Sequence, residues 1–91
     1  MAQLHVELVA VEDKVWSGDA SMVLARTTEG ELGILPGHTA LLGELADPGT
    51  VRIKTDGGDH VYTVHGGFVS VSDEGVSILA ETAEPADNQA R

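Results

Sequence analysis

Cysteine is missing from this chain of 91 residues. Disulfide stapling and thiolate metal sites are therefore excluded together. Aromatic residues are nearly missing too, since Trp16, Tyr62 and Phe68 are the whole set. Aliphatic side chains must fill the core, and an aromatic platform for stacking sugars has little to build on. Basic residues are scarce, with 5 Lys and Arg against 15 Asp and Glu, for a net charge of −10. Nucleic-acid binding needs a basic surface, so that class is excluded. Direct docking on an anionic lipid surface is disfavoured for the same reason. No run approaches the ~20 apolar residues of a membrane helix. The first residues lack a charged segment followed by an apolar one, so no secretory signal is read. The expectation is a soluble intracellular protein whose acidic surface suits basic partners.

What is present is a strand pattern. Apolar residues make up 42% of the chain, which argues for a packed core, and the length suits one domain. Leu4, Val6, Leu8 and Ala10 alternate with His5, Glu7 and Val9, the period of a half-buried strand. Glu12-Asp13-Lys14 reads as a turn, Val15-Trp16 as a short strand ending at Ser17-Gly18, and Ala20 to Arg26 as a further strand. Thr27-Thr28-Glu29-Gly30 reads as a loop, with short strands from Leu32 to Leu35 and from Leu41 to Leu45. Asp47-Pro48-Gly49 and Asp56-Gly57-Gly58-Asp59 are turn signals. His60 to His65, Phe68 to Val71 and Val76 to Leu79 complete the set, the last two joined through Ser72-Asp73-Glu74-Gly75. About eight to ten short strands at regular spacing predict an all-β sandwich or barrel, and a two-layer sandwich suits the aliphatic core. Residues 1–84 are read as the sandwich and 85–91 as a flexible tail, with the loss of periodicity beginning at Glu84.

Catalytic constellations are lacking. No pair of carboxylates sits at a spacing that would address one bond. No Gly-x-Ser-x-Gly elbow is present. Gly30-x-x-Gly33 lacks the Lys-Ser/Thr ending of a phosphate loop. His60 and His65 are five apart on one strand, which points them to opposite faces. No metal site and no cofactor are predicted. His5 and His60 read as solvated, and the Gly66-Gly67 pair as a bulge or a close backbone approach.

The most informative run is Gly30-Glu31-Leu32-Gly33-Ile34-Leu35-Pro36-Gly37-His38. Pro36-Gly37 sets a tight turn, with Pro at φ near −65° and Gly at the positive-φ position of type II. The run reads as a sharply bent loop with Glu31 at its tip and His38 at its exit.

That run resembles the loop of the epsilon subunit of the F-type ATP synthase, called delta in mitochondria. The likeness extends to Trp16-Ser17-Gly18, to Leu41-Leu42 after His38, to Gly66-Gly67-Phe68-Val69-Ser70-Val71 and to Val76-Ser77-Ile78-Leu79-Ala80-Glu81-Thr82-Ala83. It covers roughly residues 3 to 84. The resemblance implies a flattened β-sandwich of two five-stranded sheets. It implies a non-catalytic rotor component of the central stalk, in a heteromeric complex, linking the gamma subunit to the c-ring so that proton flow drives ATP synthesis. Glu29, Gly30, Glu31 and Gly33 would face the c-ring, whose polar loops carry basic residues in this family. A carboxylate can accept a bidentate bond from an arginine there. His38, Thr39 and Leu42 would face gamma. Gly37, Gly66 and Gly67 would be structural. The location implied is the cytoplasmic face of the cell membrane, peripheral and through the complex, without direct insertion. Family members usually continue into a C-terminal hairpin of two helices that inhibits ATP hydrolysis and in some binds ATP. Without it, this chain is expected to couple and not to regulate.

Two other classes stand beside this reading. One is a free-standing β-sandwich module for a small ligand or carbohydrate, and the other is a small-barrel enzyme. The first lacks clustered aromatics and the second lacks its constellation.

Overall fold

The computed structural model describes residues 3–11 and 13–86. Eight strands follow one another: β1 (Leu4–Ala10), β2 (Asp13–Ala20), β3 (Met22–Thr27), β4 (Gly30–Ile34), β5 (Leu41–Glu44), β6 (Gly49–Thr55), β7 (Gly58–Ser72) and β8 (Gly75–Pro85). The all-β expectation is met. Hydrogen bonding runs through one continuous sheet in the order β2-β1-β8-β7-β6-β3-β4, with β5 added on β7. All pairs are antiparallel except β1 with β8, the first strand beside the last.

Two long strands turn this one sheet into two layers. The first part of β7 pairs with β6 from Gly58 to Val64, and its last part pairs with β5 from Phe68 to Val71. β8 follows β7 through both parts in one register, from Tyr62↔Pro85 to Ser72↔Gly75, and the pairing lapses only at Gly66, between His65↔Thr82 and Gly67↔Ala80. The bend sits at Gly66 and Gly67, whose φ angles are +71° and +119°. A Cβ on Gly67 would overlap the carbonyl oxygen of Leu79 and lie 2.7 Å from the Ala80 Cα. Only glycine lets the two backbones approach so closely at that angle. One layer is therefore β2-β1-β8-β7-β5 and the other is β8-β7-β6-β3-β4, five segments in each.

Period two decides what fills the space between the layers. Leu4, Val6 and Leu8 of β1, Val51 and Ile53 of β6, Val69 and Val71 of β7, and Val76 and Ile78 of β8 are all buried. Burying each such side chain is worth roughly 1.5–3 kcal/mol against leaving it exposed. No polar or charged residue is buried among those described. The layers are tied at the sides. Trp16 of β2 meets His60 of β7, and a bridge joins Thr27 to Leu45 with Ala46 N–H donating to Arg26 O at 3.0 Å.

Several local expectations change. Asp13 and Lys14 belong to β2, which continues through Ser17 and Gly18 to Ala20 because β1 pairs with both of its parts, on either side of a bulge that skips Val15. Glu12 lies outside the described residues. His60 is half-buried against Trp16 and not solvated. His65 points the other way and meets Asp47 Oδ1 at 3.2 Å. β8 carries Glu84 and Pro85, paired with Thr63 and Tyr62. Of the stretch read as a tail, residues 87–91 lie outside the described residues.

Candidate functional site

Three features of the surface gather the residues singled out above: a hairpin end, a histidine turn at the opposite end, and an apolar outer face between them.

The hairpin joins β3 to β4. Its turn residues are Thr28 and Glu29, while Gly30 and Glu31 are already paired with Thr27 and Arg26. Glu29 is therefore at the tip, and Glu31 stands on β4 opposite Arg26. The tip is rigid for a local reason. The Thr27 hydroxyl accepts from Glu29 N–H at 3.1 Å and donates to Gly30 O at 2.8 Å, so one side chain ties the turn on both sides. Thr28 N–H donates to Glu44 O at 2.9 Å and fastens the tip to the end of β5. Between hairpin and β5 runs an open groove of about 490 Å³, lined by Glu29, Glu31, Leu41, Leu42 and Glu44 among others. Glu29, Glu31 and Glu44 are exposed. The groove presents carboxylates on an apolar floor, a setting that suits a cationic side chain from a partner. Gly33 is exposed on the same strand, and a Cβ there would meet the Met22 methyl at 3.2 Å.

The Pro-Gly turn follows β4 at its far end. His38 N–H donates to Leu35 O at 3.0 Å, and Gly37 has φ +85°, which is the type II turn expected from Pro36-Gly37. His38 Nδ1 lies 2.6 Å from Thr39 O. The residue is half-buried, Thr39 is exposed, and the surrounding cleft of about 410 Å³ includes His5, Asp19, Asp73 and Glu74. The run from Gly30 to His38 is thus a strand between two turns, and no bent loop brings Glu31 beside His38. A five-residue strand at ~3.3 Å per residue separates the two ends by roughly 16 Å.

The outer face of the β2-β1-β8-β7-β5 layer is the third feature. Val9, Leu79 and Phe68 are paired in one row across β1, β8 and β7. Leu42 on β5 is paired with Ser70 and stands diagonally beside Phe68. Exposure is 50% for Phe68, 55% for Leu79 and 72% for Leu42. These are the outward positions of strands whose inward positions form the core, so the chain spends large apolar side chains where water meets them. A contiguous exposed apolar patch of this kind marks an interaction surface more than a ligand cavity. Sequence reasoning named Leu42 and missed Phe68, Leu79 and Val9. The signal was there: Ser77, Leu79 and Glu81 share the outward register of β8, and Leu79 is the apolar residue among them.

No cluster of three His, Asp or Glu among the described residues could hold a metal ion. No helix among them is long and apolar enough to cross a membrane.

Comparison with known proteins agrees with this architecture. The family described as "ATP synthase, Delta/Epsilon chain, beta-sandwich domain" matches residues 3–86. An ATP synthase epsilon chain of Frankia casuarinae is 60% identical over 81 residues, which are 89% of this chain and 95% of that one. An ATP synthase epsilon chain of Streptomyces griseus is 55% identical over 87 residues, covering 94% of this chain and 69% of that one. A chain in the Euglena gracilis mitochondrial ATP synthase structure (OSCP/F1/c-ring in rotational state 1) superposes with a TM-score of 0.86 at 29% identity, across 99% of this chain. A chain in the Tetrahymena thermophila mitochondrial ATP synthase central stalk/c-ring structure gives 0.73 at 26% identity, across 88%. This chain spans 59% and 64% of those two. With its two-layer strand order, its glycine bend and the family match over nearly its whole described length, the chain belongs to the ATP synthase delta/epsilon chain family as a β-sandwich domain.

Proposed function

We propose that the chain is a non-catalytic rotor subunit that joins the gamma subunit to the c-ring and transmits torque between them. The observation that carries this reading is the outward apolar row of half-buried Val9 with exposed Leu79 and Phe68, and exposed Leu42 beside it, bounded at one end by the stapled hairpin and at the other by the His38 turn. A torque-bearing link needs a stiff body with two separate contacts. The apolar face serves gamma, together with His38 and Thr39. The groove of Glu29, Glu31 and Glu44 serves the polar loops of the ring. The central-stalk and c-ring assemblies that hold the structural relatives support this assignment. The same reading puts the chain at the cytoplasmic face of the membrane, peripheral and held there through the complex. The work is mechanical, and proton transfer and ATP chemistry belong to other subunits.

The test is reconstitution. Enzyme stripped of its epsilon subunit is assembled into vesicles, and ATP-driven proton pumping is recorded with and without this chain. Restored pumping per ATP hydrolysed is the expected result. Tight binding of the chain without any gain in pumping would contradict a coupling role.

A further inference from the structure

His38 carries more chemical information than its place in a turn. A backbone carbonyl only accepts, so the 2.6 Å contact from His38 Nδ1 to Thr39 O puts a proton on Nδ1. In a neutral imidazole the other nitrogen then has none. The hydrogen bond made by one ring nitrogen selects the state of the other. Nε2 is thereby left as an acceptor, and the Leu35–His38 turn, closed by its own 3.0 Å bond, fixes the backbone from which the ring projects.

We propose that His38 recognises its partner through Nε2 as an acceptor, so that the facing group on gamma is a hydrogen-bond donor and not a carboxylate. The inference rests on the reading of His38 as a gamma contact. The rest of the cleft reinforces the choice. The titratable groups beside His38 are His5, Asp19, Asp73 and Glu74, and no lysine or arginine lines the cleft among the described residues. Of these, His5 is already engaged, with Nδ1 3.5 Å from Asp19 Oδ1 and Nε2 3.4 Å from Glu7 Oε2. An incoming carboxylate would need a second proton on His38 and would face three carboxylates. A serine hydroxyl, an amide N–H, or best a lysine or arginine head needs neither change. The partner surface is thus specified in sign as well as in place, which is how an interface rejects wrong partners.

The experiment is long-range nitrogen–proton correlation NMR on the labelled 91-residue chain, at a mildly alkaline pH, free and saturated with gamma. The free chain should show His38 protonated at Nδ1 and bare at Nε2. In the complex Nδ1 should hold, and the Nε2 resonance should move in the direction of an accepted hydrogen bond without gaining a proton. A free ring protonated at Nε2, or a proton gained there on binding, would overturn the proposal. A companion variant, His38→Asn, keeps a donor near the Nδ1 position and removes the acceptor. It should keep the melting temperature of the free chain and weaken gamma binding by about tenfold, the worth of one well-placed hydrogen bond. Unchanged binding by His38→Asn, with no resonance of His38 moving in a formed complex, would remove His38 from the interface altogether. That result is distinguishable from a wrong tautomer, which the free chain reports by itself.

Discussion

Trp16 and His60 face each other across the open side of the sandwich, with ring centroids 5.3 Å apart and planes inclined at 42°. One sits on β2, the outermost strand of its layer, and the other on β7 beside the hairpin turn of the opposite layer. The pair closes a side that strand pairing leaves open. Ring contacts of this kind add roughly 0.5–1.5 kcal/mol beyond the area they bury. His60→Ala should lower the melting temperature by about 4–8 °C for each kcal/mol lost in a domain of this size. Trp16 is the single tryptophan, so its emission reports the site directly and should shift to the red. Unchanged melting and emission would show that the rings stack without holding the layers.

The bend in β7 gives a second prediction. Gly67→Ala places a methyl group on the Leu79 carbonyl and forces an unfavourable φ on alanine. Strain of this sort costs roughly 1–3 kcal/mol even before the clash is counted. Gly57→Ala is the control, since the Cβ there would lie 3.9 Å from the Thr55 hydroxyl and meet nothing closer. That change should be neutral or stabilising by up to about 1 kcal/mol. Urea unfolding of the two variants measures both. Equal midpoints would mean that the layers do not depend on this close approach.

Much of this architecture is legible in the residues, and the exceptions share a cause. Alternation in β1, β6 and the early part of β8 marks the strands and their buried faces without help. Pro36-Gly37 declares its turn type. The continuity of β2 past Ser17-Gly18, and of β7 past Gly66-Gly67, is not legible, because polar and glycine residues look like ends while a partner strand holds them in register. The parallel pairing of β1 with β8 is a long-range choice that no local period encodes. Glu31 reads as a tip for the same reason. The flanking glycines suggest a loop, but the bond between the Thr27 hydroxyl and Glu29 N–H puts the turn two residues earlier. The apolar face required knowing which way each strand is turned, and that follows only once the core is assembled.

Relocating the tip reverses the ranking of the two hairpin carboxylates. Glu29→Lys should loosen the link to the c-ring more than Glu31→Lys, since Glu29 leads the turn and Glu31 stands back on β4 opposite Arg26. Each reversal replaces attraction by repulsion toward a basic loop, and exclusion of water at a formed contact would enlarge both effects. Both residues are exposed, so the fold should tolerate either change. ATP-driven pumping in reconstituted vesicles is the readout, with the melting temperature of the free chain beside it. A greater loss for Glu31→Lys would move the ring contact off the tip and onto the strand.

The apolar face is the central claim, and the affinity of this chain for the gamma subunit tests it. Phe68→Asp puts a charge into the apolar face between Leu79 and Leu42, at a side chain that is half exposed in the free chain. Interface anchors are worth about 2 kcal/mol or more, so the dissociation constant should rise by at least about thirtyfold. Thr50→Asp on β6 is the control, an exposed position on the outer side of the other layer. It should bind gamma as the unaltered chain does, and both variants should keep a cooperative melt. Wild-type affinity for Phe68→Asp, or an equal loss for Thr50→Asp, would contradict the assignment of this face to gamma.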